Sequence, residues 1–121
     1  MINSLEVVSI PVSDQDHAKT FYRDVLGFSE LADQPMSPEM RWVQLAPKGA
    51  ATSVTLVTWF ASMPAGSLRG LVLSTSTLDA DVAALHAKGI ETSPIDDQPW
   101  ARYVTFTDPD GNGLILQQAK R

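Results

Sequence analysis

The stretch Asp33-Gln34-Pro35-Met36, followed by Arg41-Trp42-Val43-Gln44-Leu45, decides the fold because the chain contains it twice. The second copy reads Asp97-Gln98-Pro99-Trp100, followed by Arg102-Tyr103-Val104-Thr105-Phe106. Upstream of each copy a helix-like run ends at glycine, at Gly27-Phe28 and at Gly89-Ile90. The copies are about sixty residues apart, which predicts two related modules. Such modules pack together and place a shared cleft near their junction, where ligands prefer to bind.

The chain of 121 residues is expected to form a single domain over residues 1–121. Module one is predicted over residues 1–60 and module two over residues 68–121. Residues 61–67 contain Pro64 and Gly66 and form the linker. A linker of this length is too short for two free domains, so we expect the modules to pack directly on one another.

Each module is predicted to fold as βαβββ. In module one the pattern gives a strand over 5–12 and a helix that begins at Ser13 or Asp14. A short strand over 28–31, a loop over 33–40 and strands over 41–46 and 53–59 follow. Module two repeats this order with a strand over 71–76, a helix beginning at Thr77 or Asp79, a short strand over 90–93, a loop over 94–100 and a hairpin of 103–107 with 113–117. The fold class is therefore α+β, with tandem modules forming a curved sheet cup and the helices on its outer face.

Composition narrows the range of functions. The net charge is -5 and there is no basic stripe, so no nucleic-acid partner is expected. The chain has no cysteine, which excludes disulfides, thiolate metal sites and cysteine nucleophiles. No run approaches the ~18 apolar residues of a membrane span, and no secretory signal is seen, so we expect a cytoplasmic protein with no membrane partner.

Two motifs resemble one known family. The first motif consists of Val12-Ser13-Asp14 and Phe21-Tyr22-Arg23-Asp24-Val25-Leu26-Gly27-Phe28. It is similar to the opening of the glyoxalase / bleomycin-resistance / extradiol-dioxygenase (vicinal oxygen chelate) superfamily. The closing Thr105-Phe106-Thr107-Asp108-Pro109-Asp110-Gly111-Asn112 resembles its last hairpin. The resemblance implies paired βαβββ modules that form a cup, usually completed in a homodimer. In metal-dependent members, His, Gln or Glu on the cup strands hold a divalent metal.

The family's ligand positions do not carry metal ligands in this chain. Carried over one at a time, they fall on Val7, Thr55, Gly70 and Ile115. The two histidines, His17 and His86, lie in predicted helices outside the cup, where we expect them to be solvated. The sequence therefore predicts no metal site and no cofactor.

Strand alternation assigns a set of aromatic and neutral polar residues to the cup. Val43, Leu45, Val104 and Phe106 are assigned to the helix side. The opposite face has the mixture typical of an organic-ligand pocket. Its predicted ligand-binding residues are Trp42, Gln44, Thr55, Val57, Trp59, Ser74, Trp100, Tyr103 and Ile115.

The charged residues of the repeat are interpreted as structural. Alternation directs Arg41 and Arg102 away from the cup, where surface ion pairs are expected. Asp33 and Asp97 are expected to form turns by accepting backbone N–H groups. The alternative is a pair of acidic rim groups that hold a cationic ligand.

The sequence favours a metal-independent protein that binds a small organic molecule as a homodimer, in resistance, sequestration or sensing, rather than an enzyme. The alternative is a metal-dependent lyase, isomerase or dioxygenase resembling glyoxalase I. A third possibility is a structural dimer whose cup is filled by its own side chains. Whether the dimer swaps modules or packs chains side by side is left open.

Overall fold

The computed structural model describes residues 1–120 and shows two βαβββ modules in tandem. This confirms the α+β fold class. Module one consists of β1 (Val7–Pro11), α1 (Gln15–Thr20) continued by a π-helical turn (Phe21–Val25), β2 (Ser29–Ser37), β3 (Met40–Ala46) and β4 (Ser53–Val57). Module two consists of β5 (Leu71–Ser74), α2 (Leu78–Ala87), β6 (Asp96–Asp97), β7 (Ala101–Thr107) and β8 (Gly113–Ala119).

Each module forms its own open four-stranded sheet, and the two sheets have the same topology. The strand orders are β1-β4-β3-β2 and β5-β8-β7-β6. In both sheets the first strand pairs parallel with the last strand of the module, and the remaining pairs are antiparallel. The identical order supports the duplication that the sequence predicts.

The helix ends follow the local sequence signals. Asp14 is the N-cap of α1, and its carboxylate accepts the His17 backbone N–H at 3.0 Å. Gly27 and Gly89 follow the helical segments with φ of 79° and 80°, a conformation that glycine adopts without a steric penalty. No helix in the described part of the chain is long and apolar enough to cross a membrane.

The second strand of module one is longer than predicted. The sequence indicates a strand over 28–31 and a loop over 33–40, but β2 continues to Ser37 and includes Met36. Register shifts between Glu30 and Ala32, and between Pro35 and Ser37, let the strand absorb irregular positions. Pro35 is tolerated because β2 is an edge strand.

The short strand of module two is displaced along the chain. It was expected over 90–93, whereas β6 is Asp96–Asp97. Ser93 is nevertheless held beside β7, because its backbone N–H donates to the Thr105 carbonyl and its hydroxyl accepts the Thr105 N–H. Pro94 follows at once and cannot donate a ladder hydrogen bond, so regular pairing resumes only beyond it.

The core lies between the helices and the sheets, and it joins the modules. Val43, Leu45, Val104 and Phe106 are buried, as alternation predicts. The main apolar cluster combines residues of both modules, and a smaller one surrounds α2. The main cluster consists of Ile10, Val12, Ala18, Phe21, Tyr22, Phe28, Val43, Leu45, Val54, Leu56, Leu85, Phe106 and Leu114.

A buried polar cluster also ties the modules together, and we call Tyr22, Asp108 and Asn112 the junction cluster. The Asp108 carboxylate accepts the Tyr22 hydroxyl at 2.9 Å and the Asn112 side-chain amide at 2.8 Å. Asn112 also donates to the Pro11 carbonyl at 2.8 Å. Burial and the adjacent carboxylate raise the pKa of Tyr22, so its phenol stays a hydrogen-bond donor. The closing motif is thus an inter-module connection as well as a turn.

Candidate functional site

One face of the module-one sheet lies opposite its buried core side. We call it the module-one face, and it consists of Ser9, Trp42, Gln44, Ser53, Thr55 and Val57. Thr55 pairs with Ser9 on one side and with Gln44 on the other. The Trp42 indole N–H donates to Gln44 Oε1 at 2.9 Å, and Gln44 Nε2 donates to Ser53 Oγ at 2.7 Å. Four of the nine predicted site residues lie on this face, namely Trp42, Gln44, Thr55 and Val57, and a fifth, Trp59, is stacked on Trp42.

Aromatic rings cover one end of this face. Trp42 and Trp59 are stacked, with ring centroids 6.4 Å apart and planes inclined by 27°. Phe60 lies against Trp59 at 6.0 Å and is itself exposed. Offset aromatic pairs of this kind provide a flat surface suited to planar ligands.

Thr55 lies at the centre of the module-one face with an unusual hydrogen-bonding status. Its side chain is almost completely buried, and its hydroxyl has no hydrogen-bond partner. The neighbouring Gln44 and Ser53 are already bonded to each other. A buried hydroxyl without a partner is costly, so this position is open to a hydrogen bond from an incoming group.

The second sheet has an equivalent face with the same strand register. We call it the module-two face, and it consists of Val72, Ser74, Tyr103, Thr105, Ile115 and Gln117. It is more open, because Val72 is 51% exposed and Ser74 and Thr105 are also exposed. The predicted residues Ser74, Tyr103 and Ile115 all lie on it.

Tyr103 is oriented by a carboxylate that sequence reasoning missed. Its hydroxyl donates to Asp96 Oδ2 at 2.8 Å, and Gln98 donates to Asp96 Oδ1 at 2.7 Å. The hydrogen bond to Asp96 raises the pKa of Tyr103, with burial as a second cause. The available signal was a second carboxylate, Asp96, directly before the repeat, but its register with Tyr103 follows from the displaced β6.

The two faces are not joined within one chain. In residues 1–120, no hydrogen bond and no close aromatic pair links the module-one face to the module-two face. Trp100, predicted at the rim, is 64% exposed in the segment between β6 and β7 and makes no aromatic pair among the described residues. The structure therefore presents two separate sheet faces and an exposed tryptophan outside both.

The repeated arginines form ion pairs on the helix side, away from both faces. Arg41 contacts Asp33 and the α1 residue Asp16, each at 2.8 Å. Arg102 contacts the α2 residue Asp79 at 3.0 Å in the equivalent arrangement. This agrees with the surface role expected for both arginines.

Asp33 departs from the turn-forming role expected for it. It lies within β2, where its carboxylate contacts Lys19 at 2.7 Å as well as Arg41. Hydrogen bonds from Arg41 and then Lys19 hold the pKa of Asp33 well below its usual range. Its equivalent Asp97 is bonded to Lys120. Both carboxylates are thus engaged by cations.

The residues at the four metal-ligand positions of the family do not fit a divalent metal ion. The carried-over positions are Val7, Thr55, Gly70 and Ile115, and of these only Thr55 has a side-chain oxygen. Across residues 1–120 no group of three or more His, Cys, Asp or Glu could hold a metal ion. His17 and His86 are exposed on the helices.

A cleft of about 600 Å³ lies between the modules, and Val72 and Ser74 of the module-two face are among the residues that line it. Residues of both modules line it, and Ser74 is the one predicted site residue among them. The cleft is mostly apolar and is formed largely by core-side residues, including Val8, Val54, Leu71, Leu73 and Phe106. It is a rival location for a ligand, but it lacks the stacked aromatic pair of the module-one face.

Comparison with known proteins gives a consistent family. The model of the Glyoxalase/Bleomycin resistance protein/Dioxygenase superfamily matches residues 4–116. The chain is 34% identical to the uncharacterized protein YetH of Bacillus subtilis (strain 168), over 98% of this chain and 100% of that protein.

Two solved structures from Streptomyces sp. CB03234 are also similar. TnmS3, described as an antibiotic binding protein, is 50% identical with a TM-score of 0.94 and 98% of each chain covered. A glyoxalase/bleomycin resistance protein is 51% identical with a TM-score of 0.87, covering 95% of this chain and 100% of that one.

Proposed function

The chain belongs to the Glyoxalase/Bleomycin resistance protein/Dioxygenase superfamily, and on that premise we propose that it binds a small, antibiotic-like organic molecule without using a metal. The observation that carries the proposal is the module-one face, where the Trp42–Trp59 stack lies beside the neutral polar groups of Gln44, Ser53 and Thr55. Apolar surface with a few orienting polar groups is the usual composition of a binding pocket. The 50% identity to an antibiotic binding protein supports the ligand class.

Binding is favoured over catalysis by the chemistry of the face. The metal-ligand positions of related enzymes hold residues that do not fit a metal, and no histidine lies on either face. The Tyr103 hydroxyl donates a hydrogen bond to Asp96, and its raised pKa keeps the phenol protonated, so it is a hydrogen-bond donor rather than a base. These groups orient a ligand through hydrogen bonds.

The proposed site uses both faces and therefore a homodimer. The two faces are not connected within one chain, so the module-one face of one protomer is proposed to oppose the module-two face of its partner. Each face is then one half-site. Isologous pairing gives two equivalent sites per dimer. The cytoplasmic location and the single-domain unit expected from the sequence remain part of this proposal.

The experiment is a tryptophan-fluorescence titration with a panel of antibiotics. For a compound that binds, Trp42→Ala is expected to weaken binding at least tenfold, because the stacking surface is lost. His17→Ala, on the exposed surface of α1, is the matched control and is expected to bind as the wild type does.

A third variant separates the two possible locations. Ala84→Trp adds a large side chain to the cleft between the modules and is expected to leave binding unchanged. Loss of binding in Ala84→Trp with full binding in Trp42→Ala would place the ligand in the cleft and contradict the proposal.

A further inference from the structure

The two half-sites differ in how far they are covered. Ile115 occupies in module two the register position that Thr55 occupies in module one, since each pairs with the first and third strands of its sheet. Yet Thr55 and Val57 are each only 1% exposed, whereas Ile115 and Gln117 remain partly exposed and Val72 is 51% exposed. The last strand of module one is therefore more deeply buried on this face than the last strand of module two.

The faces also differ near the ends of their last strands, where module one has Trp59. It lies two residues beyond Val57 and stacks on Trp42. The equivalent position of module two, two residues beyond Gln117, is Ala119, which has no ring to contribute. Of the two faces, only the module-one face carries a stacked aromatic pair in the part of the chain that the structure describes.

The two stacked tryptophans are held in different ways. Trp42 lies within β3, and its indole N–H is bonded to Gln44. Trp59 lies beyond the end of β4, and its indole makes no hydrogen bond to any residue in the range 1–120. Ring contacts with Trp42 and Phe60 hold Trp59, so it is the member of the pair that can move without breaking a hydrogen bond.

The hydroxyl of Thr55 lacks a partner on this covered face. Gln44 uses both ends of its side-chain amide, on Trp42 and on Ser53. Ser53 also donates to the Glu6 carbonyl. Neither neighbour supplies the missing hydrogen bond, so a ligand that reaches Thr55 gains one without having to break another.

We propose that Trp59 is a displaceable lid over the module-one half-site, and that a ligand ring replaces its indole against Trp42 and hydrogen-bonds to Thr55. This inference rests on the proposed function and narrows its ligand class. The ligand carries a flat ring system about the size of an indole, with an N–H, O–H or carbonyl group on its edge. The stack that the lid makes in the free protein is then remade by the ligand.

Indole itself is the probe, because it has the shape of the group that leaves. In Trp59→Ala, indole is expected to bind at least tenfold more tightly than in the wild type, measured by isothermal titration calorimetry. The control is His17→Ala, which removes an exposed ring on α1, outside both faces, and is expected to gain no binding. Adding Thr55→Val to Trp59→Ala is expected to weaken indole binding about fivefold, the effect of one hydrogen bond.

A second readout does not depend on a tryptophan deletion. Thr55→Val alone removes a buried hydroxyl without a partner and keeps the side-chain shape, so its melting temperature is expected to equal or exceed that of the wild type. A clear decrease would show that the hydroxyl is satisfied and would overturn the proposal. If Trp59→Ala does not fold, the smaller truncation Trp59→Leu takes its place in the calorimetry.

Failure of the lid is distinguishable from failure of the proposed function. The lid proposal is wrong if Trp59→Ala binds indole no better than the wild type. It is also wrong if adding Thr55→Val to Trp59→Ala leaves the affinity for indole unchanged. If the antibiotic panel still binds the wild type in a Trp42-dependent manner, the proposed function stands without the lid. If Trp59→Ala gains affinity for indole as expected but no compound of the panel binds, the module-one face binds a planar ring and the proposed antibiotic ligand class is wrong.

Discussion

Asp33 is held between two cations, and its ionisation contributes to folding stability. Arg41 and Lys19 keep its pKa well below the ordinary value, and its side chain is only 16% exposed. A carboxyl whose pKa is lower in the folded state stabilises the protein above its unfolded pKa. That contribution is lost progressively as the pH falls below about 4.

We therefore predict that Asp33→Asn lowers the free energy of unfolding by about 1 kcal/mol at pH 7, since solvent screens part of the ion pairing. The deficit relative to the wild type is expected to shrink steadily between about pH 4 and pH 2. Urea denaturation at both ends of that range measures it. Asp24→Asn, on an exposed carboxylate paired with the adjacent Arg23, is the control. A deficit that is independent of pH would show that the ion pairs do not cause it.

Among the elements, α1 begins at an N-cap whose side chain satisfies a backbone N–H of the first turn. Asp14→Ala removes the acceptor for the His17 N–H and is expected to cost about 1 kcal/mol of unfolding free energy. Thr77 occupies the same place before α2 but its side chain makes no capping bond, so Thr77→Ala is expected to cost less. Chemical denaturation of both variants tests this, and equal losses would contradict it.

The element order and the faces could be predicted because their signals are local. Alternation placed Val43 and Val104 in the core, and Gly27 and Gly89 marked the helix ends. The extent of β2 could not be predicted, since its bulges depend on pairing with β3. The missing hydrogen bond of Thr55 also could not, because it depends on how Gln44 and Ser53 bond to each other.

In the whole molecule, the modules are fixed by contacts distant in sequence. The hydrogen bond from Tyr22 to Asp108 spans 86 positions. Because no local pattern indicates such a contact, the sequence of the closing motif predicts only a turn. The linker also approaches this hairpin closely. A Cβ added to Gly66 would lie 2.2 Å from the Asp110 carbonyl oxygen, whereas one added to Gly70 would meet nothing within 4 Å.

These two glycines form a matched pair, because both have positive φ, 83° and 77°. Gly70→Ala is expected to cost about 1–2 kcal/mol through backbone strain alone. Gly66→Ala adds the clash with Asp110 and is expected to cost at least about 2 kcal/mol more. Thermal or urea denaturation measures the difference. Equal losses would show that the linker can move away from the hairpin.

The composition of the proposed site can be tested by mixing subunits. If each site combines the module-one face of one protomer with the module-two face of its partner, a Trp42→Ala subunit paired with a Tyr103→Ala subunit leaves one site intact. After random exchange, up to about a quarter of all sites should recover wild-type affinity. No recovery after verified exchange would mean that both faces of a site come from one chain.

The most direct test of the central claim is native mass spectrometry of the untagged protein, with and without prior treatment with a chelator, after incubation with a panel of antibiotics. We predict a dimer without metal mass that carries an organic adduct, and loss of that adduct in Trp42→Ala but not in His17→Ala. A stoichiometric metal whose removal abolishes ligand binding would contradict metal-independent binding. An adduct that persists in Trp42→Ala would contradict the site.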